Sequence, residues 1–247
     1  TIAHTEGLFN IGIISNEELI KIKNSLEKLE KEYLSGKFKL TNQFEDCHSA
    51  IEFYLIDKIG EAGKKVHTGR SRNDQVITAM RLYSLDQLND LKQICINITK
   101  SFLDKAARHK KDIMPGYTHL QRAMPSSWGL WFSSYAESFI DSIDLLEKTY
   151  DWINSNPLGS AAGYGVSIPL DREFVSSKLN FNRLQNNSLY VQNSRGKYEL
   201  QIIASLKQIM LDIRKIAWDF SLFLSKEFNL IAIDKKYCTG SSIMPNK

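Results

Sequence analysis

The chain has 247 residues, 43% hydrophobic and 24% charged, which is the balance of a folded globular protein and excludes a disordered one. Its net charge of +4, from 32 basic and 28 acidic residues, is spread along the sequence without a basic face, so no nucleic-acid partner is expected. Cys47, Cys95 and Cys238 are odd in number and far apart, which argues against a disulfide framework or a metal site and for a reducing cytoplasm. No apolar run approaches the roughly 20 residues that span a bilayer, so no membrane partner is expected.

In chain order, the first clear helix carries Leu19, Ile22, Leu26, Leu29 and Tyr33 at steps of three and four. Ser15 and Glu18 frame its start as a capping box, and Gly36 stands where it should stop. Two windows then lack both glycine and proline, Ser71 to Met114 and Lys197 to Thr239. Both are far longer than the usual helix of about 11–12 residues. In the second, Leu200, Ile203, Met210, Ile213, Ala217, Phe220 and Leu224 keep a helical beat. Strand-like alternation is not evident. The pattern predicts an all-α fold, a long-helix bundle. A short-helix region, 1–66, gives way near residues 60 to 69 to a long-helix region, 67–247. A helix filling Ser71 to Met114 would run about 60 Å or more and must bury its apolar stripe along its length. Partner subunits are the expected cover.

Polar segments punctuate this pattern. EDCHSAIE, residues 45 to 52, brings His48 near a helix start, where a capping or packing role also fits. HTGRSRNDQV, residues 67 to 76, offers two arginine forks, with Asn73 or Asp74 expected to cap a helix beginning at Val76. A helix N-terminus beside two arginines suits an anion, although a solvated cap would read the same. MPGYTHLQRAMP, residues 114 to 125, sets His119 among donors and acceptors, either as a proton-transfer group or in a plain inter-helix linker. NPLGSAAGYG, residues 156 to 165, has three glycines that let backbone approach something closely. It lacks the lysine and spacing of a phosphate-binding loop, which excludes nucleotide binding on this motif. The chain closes on GSSIMPNK, residues 240 to 247, a loop with a hydroxyl pair and a cation. Ser241 has no sequence-adjacent base and no nucleophile elbow, so a hydrolase triad is not indicated. A serine can act as a base if nearby donors and a cation stabilise its alkoxide. Lys247 is the candidate cation for that, or for holding an anionic substrate.

HTGRSRNDQV, GYTHLQRAMP and TGSSIMPNK, in this order, resemble the argininosuccinate lyase family within the fumarase/aspartase superfamily. The closing loop is the superfamily's signature; TGRSRNDQV is the more selective segment, and EDCHSAIE ahead of it agrees. The resemblance covers essentially the whole chain. It implies a mostly helical protomer and a homotetramer whose long helices complete a central bundle, with active sites built from more than one subunit. It implies reversible β-elimination of argininosuccinate to arginine and fumarate, in arginine biosynthesis, with no metal and no cofactor.

Carried over residue by residue, Ser241 matches the family's base, which takes a proton from the carbon next to a carboxylate. Lys247 matches the loop lysine that stabilises the resulting aci-carboxylate, and His119 the histidine that serves the leaving group. Thr118 and Asn73 match substrate-binding positions. Ser71, Arg72 and Ser242 stand beside them as carboxylate binders, and His48 matches a histidine near the site. The family extends before Thr1 and beyond Lys247, so the chain is expected to lack segments at both ends, and NPLGSAAGYG departs from the wording of many members. Another fumarate-releasing lyase of the superfamily is the alternative enzyme. A crystallin-like structural homologue is the alternative of another class, although it has no need of Ser241, His119, Asn73 and Thr118.

Overall fold

The computed structural model describes residues 1–244. Helices α1 (Ile2–Asn10), α2 (Asn16–Leu34), α3 (Cys47–Ile59) and the short α4 (Glu61–Lys64) lead through a 3₁₀ turn at Lys65–His67 into α5 (Arg72–Arg108). A hairpin of β1 (Ile113–Thr118) and β2 (Gln121–Ser127) follows, then α6 (Trp128–Ile153). The two-residue strands β3 (Ser155–Asn156) and β4 (Arg183–Leu184) pair in parallel, with α7 (Arg172–Lys178) between them in sequence. Helices α8 (Ser188–Asn193) and α9 (Lys197–Phe223) and a 3₁₀ turn at Lys235–Tyr237 complete the order. The class is all-α, carried by the three long helices α5, α6 and α9.

The chain divides into two compact units. The first comprises Thr1–Gln87 and Tyr150–Leu200, the second Leu88–Thr149 and the residues from Gln201 onward. In the first, α2 starts on the capping box: Ser15 Oγ accepts from Glu18 N at 3.2 Å, and Glu18 Oε2 accepts from Ser15 N at 2.8 Å. Ile22, Leu26 and Leu29 face inward, and Ile22 and Leu26 join Leu8, Ile14, Leu55 and Val66 in one core. Gly63 lets α4 lie on α3, since a Cβ there would stand 2.6 Å from the Leu55 carbonyl carbon. Arg81 of α5 is 3% exposed. Its Nη1 donates to Ile153 O (3.2 Å), Ser155 O (2.9 Å) and Ser155 Oγ (2.8 Å), and its guanidinium carbon lies 3.8 Å from the Tyr198 ring centroid.

In the second unit, Phe102 packs against Phe132, Tyr135 and Phe139, each at 6.1 Å between ring centroids. Trp131 Nε1 and Tyr135 OH both donate to Asp219 Oδ2 at 2.9 Å. Burial and that carboxylate push the Tyr135 phenol up. Gly129 permits the closest approach here, because a Cβ there would meet Lys110 Cα at 2.6 Å.

Three features differ from the sequence expectation. Helix α5 begins at Arg72 rather than Val76, and Ser71 is its cap: Ser71 Oγ accepts from Asn73 N (3.2 Å) and Asp74 Oδ1 accepts from Ser71 N (2.9 Å). It ends at Arg108, so its 37 residues span about 55 Å. The window from Lys197 ends its helix at Phe223 without glycine or proline. Ser225 and Asn229 do this instead. Ser225 Oγ accepts from Phe228 N at 3.3 Å, Asn229 adopts φ +46°, and Leu230 N returns to Phe223 O at 2.9 Å. Finally, residues 113–127 form the hairpin rather than a plain linker, with an irregularity between Pro115 and Tyr117. On α9 the predicted apolar row is largely uncovered within the chain: Leu200 is 68%, Ile203 61% and Met210 59% exposed.

His4 of α1 is buried, with Nε2 at 2.9 Å from Thr68 O. Burial, reinforced by the Arg70 charge, pushes its imidazole from 6.5 down to about 3. The unfolded chain therefore binds a proton that the folded chain refuses, and stability falls as pH drops below 6.5 toward 3. Denaturant midpoints measured from pH 7.5 to 5 should fall, and His4→Gln, which keeps a donor for Thr68 O, should flatten the fall.

Candidate active site

The first unit gathers one polar group. Asp46 caps α3, its Oδ1 accepting from Ser49 N at 2.8 Å, and His48 follows in the first turn. His48 is half-buried. Burial and then the Arg72 charge push its imidazole down, against Asp46, so it is neutral at pH 7 and can donate at one nitrogen and accept at the other. Arg72 has a partner on each guanidinium nitrogen: Nε meets Asp46 Oδ2 (2.9 Å), Nη1 meets Gln75 Oε1 (2.9 Å) and Nη2 meets Ser49 Oγ (3.0 Å). Arg70 differs. Among the described residues its buried Nε has no hydrogen-bond partner, while Asp74 and Glu52 supply compensating charge. Asn73 is held at both ends, its Nδ2 donating to Ser71 Oγ (3.3 Å) and its Oδ1 accepting from Arg195 Nη1 (3.0 Å). Because a guanidinium only donates, Arg195 fixes which way the amide points. His48, Ser71, Arg72 and Asn73 thus share one polar cluster.

The second unit holds the other group. Thr118 pairs with Gln121 at the hairpin end, leaving His119 and Leu120 as a two-residue turn with φ +53° and +59°. Two positive φ angles match the right-handed twist of the strands, but normally call for glycine or asparagine. Thr118 and His119 are exposed. Tyr117 packs edge-on against Phe228, 4.9 Å between centroids, which anchors the hairpin to the segment after α9. Ser241 and Ser242 are exposed, and Ser241 Oγ accepts from Met244 N at 3.1 Å. Lys247 lies outside the described residues.

Two groups in the first cluster were not singled out from the sequence as functional. Arg195 has no signal of its own there. Asp74 was read only as a possible cap, yet it is fully buried. Among the described residues no three His, Cys, Asp or Glu side chains are grouped to hold a metal, and no helix is long and apolar enough to cross a membrane.

A protein-family model described as "Lyase" matches residues 1–247, so the chain belongs to that lyase family. Among curated relatives, the argininosuccinate lyase of Xanthomonas oryzae pv. oryzae (strain PXO99A) is 49% identical over 245 residues, 99% of this chain and 57% of that protein. That of Stenotrophomonas maltophilia (strain K279a) is 48% identical over the same shares. The chain thus spans little more than half the length of these relatives. Among solved structures, a variant of EDDS lyase with bound fumarate superposes with a TM-score of 0.89 at 27% identity, covering 100% of this chain and 48% of that one. A fumarate lyase:delta crystallin from Brucella melitensis, bound to cobalt, gives 0.79 at 20% identity, over 100% of this chain and 59% of that one. It supports the fold alone.

The left-handed turn yields a test. A bulky residue there is strained by about 1–2 kcal/mol, and asparagine tolerates the conformation better. Leu120→Asn should therefore stabilise the protein by about 0.5–1 kcal/mol in a denaturant titration.

Proposed function

We propose that this chain supplies catalytic segments of an argininosuccinate lyase, which reversibly cleaves argininosuccinate to L-arginine and fumarate in arginine biosynthesis. The observation that carries this reading is the match, along nearly the whole chain, to relatives bearing that name. A neighbour holding fumarate supports the same product class. Ser241 is the base that removes the proton from the carbon beside a carboxylate. The Met244 N–H reaching its oxygen is the kind of donor that favours an alkoxide, and Lys247 is to add the cation. His119 delivers a proton toward the departing guanidinium, directly or through water. Asn73, Thr118, Ser71, Ser242, Arg72 and His48 bind or surround the substrate. Because each Arg72 guanidinium nitrogen already has a partner within the chain, its contribution is to hold this cluster in shape as much as to meet a carboxylate with its remaining N–H groups. The protein is cytoplasmic.

In the full-length protein, Ser241→Ala should nearly abolish fumarate production while calorimetry still detects substrate binding, and Ser242→Ala should do less. His119→Asn should lower turnover roughly 10²–10⁴-fold, the span for losing a general acid or base, and keep the fold, because asparagine suits the turn. Full activity in all three variants would refute the mechanism.

The assembly is a homotetramer, and sites built from more than one subunit go with it. Uncovered apolar residues support this reading: Leu200, Ile203, Met210 and Trp218 on α9, and Met80, Tyr83 and Ile94 on α5. Light scattering at micromolar concentration should give four times the protomer mass; a monomer would overturn the assembly.

A further inference from the structure

The glycine-rich segment 156–165 has no part in the chemistry above, yet its backbone is folded around one side chain. Asp74 has 0% exposure. Its Oδ2 accepts from Gly159 N at 3.0 Å and Ala161 N at 2.9 Å, while its Oδ1 accepts from Ser71 N at 2.9 Å. Gly159 at φ +86° and Ala161 at φ +52° give the loop the left-handed turns that aim both N–H groups at one oxygen. Closely spaced backbone N–H groups converging in this way form an anion-binding concavity, and here the anion belongs to the protein. The loop is itself held in place. Arg172 Nε donates to Leu158 O (3.0 Å) and Gln192 Nε2 to Ala161 O (3.2 Å).

A helix start needs one acceptor near its first N–H groups, and an exposed serine or asparagine supplies it. Burying a carboxylate for that purpose is costly unless each lone pair is met. Two further donors from a segment 85 and 87 residues away make this a tether between two parts of the first unit. Its near end is the peptide following Asn73, whose amide is already aimed by Ser71 and Arg195.

We propose that Asp74 is a positioning residue: its clasp on the Gly159–Ala161 backbone holds the first turn of α5 so that Asn73 meets the substrate in its productive orientation. This rests on the lyase reading above and adds to it a residue that touches no substrate.

The experiment uses the full-length protein with four variants, Asp74→Asn, Gly159→Ala, Asn73→Ala and the double Asp74→Asn/Asn73→Ala. Asparagine keeps the shape of Asp74 but turns an N–H toward backbone donors. Alanine at Gly159 strains the clasp from its far side and leaves the carboxylate intact. Asp74→Asn and Gly159→Ala should each raise KM for argininosuccinate about 10- to 100-fold with a smaller change in kcat, as misplacement of a binding group does. Asp74→Asn should add nothing to the KM of Asn73→Ala, since it acts through that residue. Lower melting temperatures with unchanged KM, or effects of Asp74→Asn and Asn73→Ala that multiply, would overturn the proposal. If Asp74→Asn does not fold, Gly159→Ala decides alone, and an unchanged KM there overturns it. Wild-type kinetics in Asn73→Ala would instead remove Asn73 from the site, taking the proposal with it. Absence of argininosuccinate cleavage by the wild-type protein is the separate result that defeats the lyase reading.

Discussion

Arg81 carries its charge into the interior of the first unit and is met there by acceptors and an aromatic face. The carbonyls of Ile153 and Ser155, the Ser155 hydroxyl and the Tyr198 ring surround it. These partners come from the end of α6, from β3 and from the start of α9, so one guanidinium ties three stretches of chain to α5. Burial works against its charge, and the arrangement persists because each neighbour is oriented toward it. Removing one hydrogen-bonding partner from such a charged group costs about 1.5–3 kcal/mol. The loop that reaches Asp74 begins directly after these tethered residues.

Much of the helical framework was legible because local rules wrote it. The Ser15–Glu18 box and the row Ile22, Leu26, Leu29 are decided within a few turns of chain. The hairpin was not legible. Pro115 and Pro125 stand opposite each other in its register, and prolines ordinarily argue against a strand. A two-stranded ribbon has only edges, so it tolerates them. The end of α9 escaped for the opposite reason: no glycine or proline marks it, and the left-handed residue is Asn229.

The candidate site was legible as segments but not as a set of contacts. His48, Ser71, Arg72 and Asn73 were named from motifs and do share one cluster. What the motif could not reveal was that Arg72 has Asp46, Gln75 and Ser49 on its three nitrogens while, among the described residues, the buried Arg70 Nε has no hydrogen-bond partner. The segment 156–165 was read as backbone able to approach something closely, and the partner is the Asp74 carboxylate. Pairings across some eighty residues leave no periodicity for a sequence to display.

The tip of the hairpin restricts how this protein can vary over evolutionary time. Position 119 sits in the left-handed region at φ +53°, where glycine, asparagine, aspartate and histidine are the residues met with any frequency. Of these four, histidine is the one whose side chain trades a proton near neutrality. Backbone geometry thus favours a few letters at this position before chemistry is consulted, and the proton transfer proposed for it would select one of them. If the proposed role holds, a lineage released from it could drift to asparagine or glycine here without disturbing the fold, so the identity of this residue would record whether selection for that role persisted.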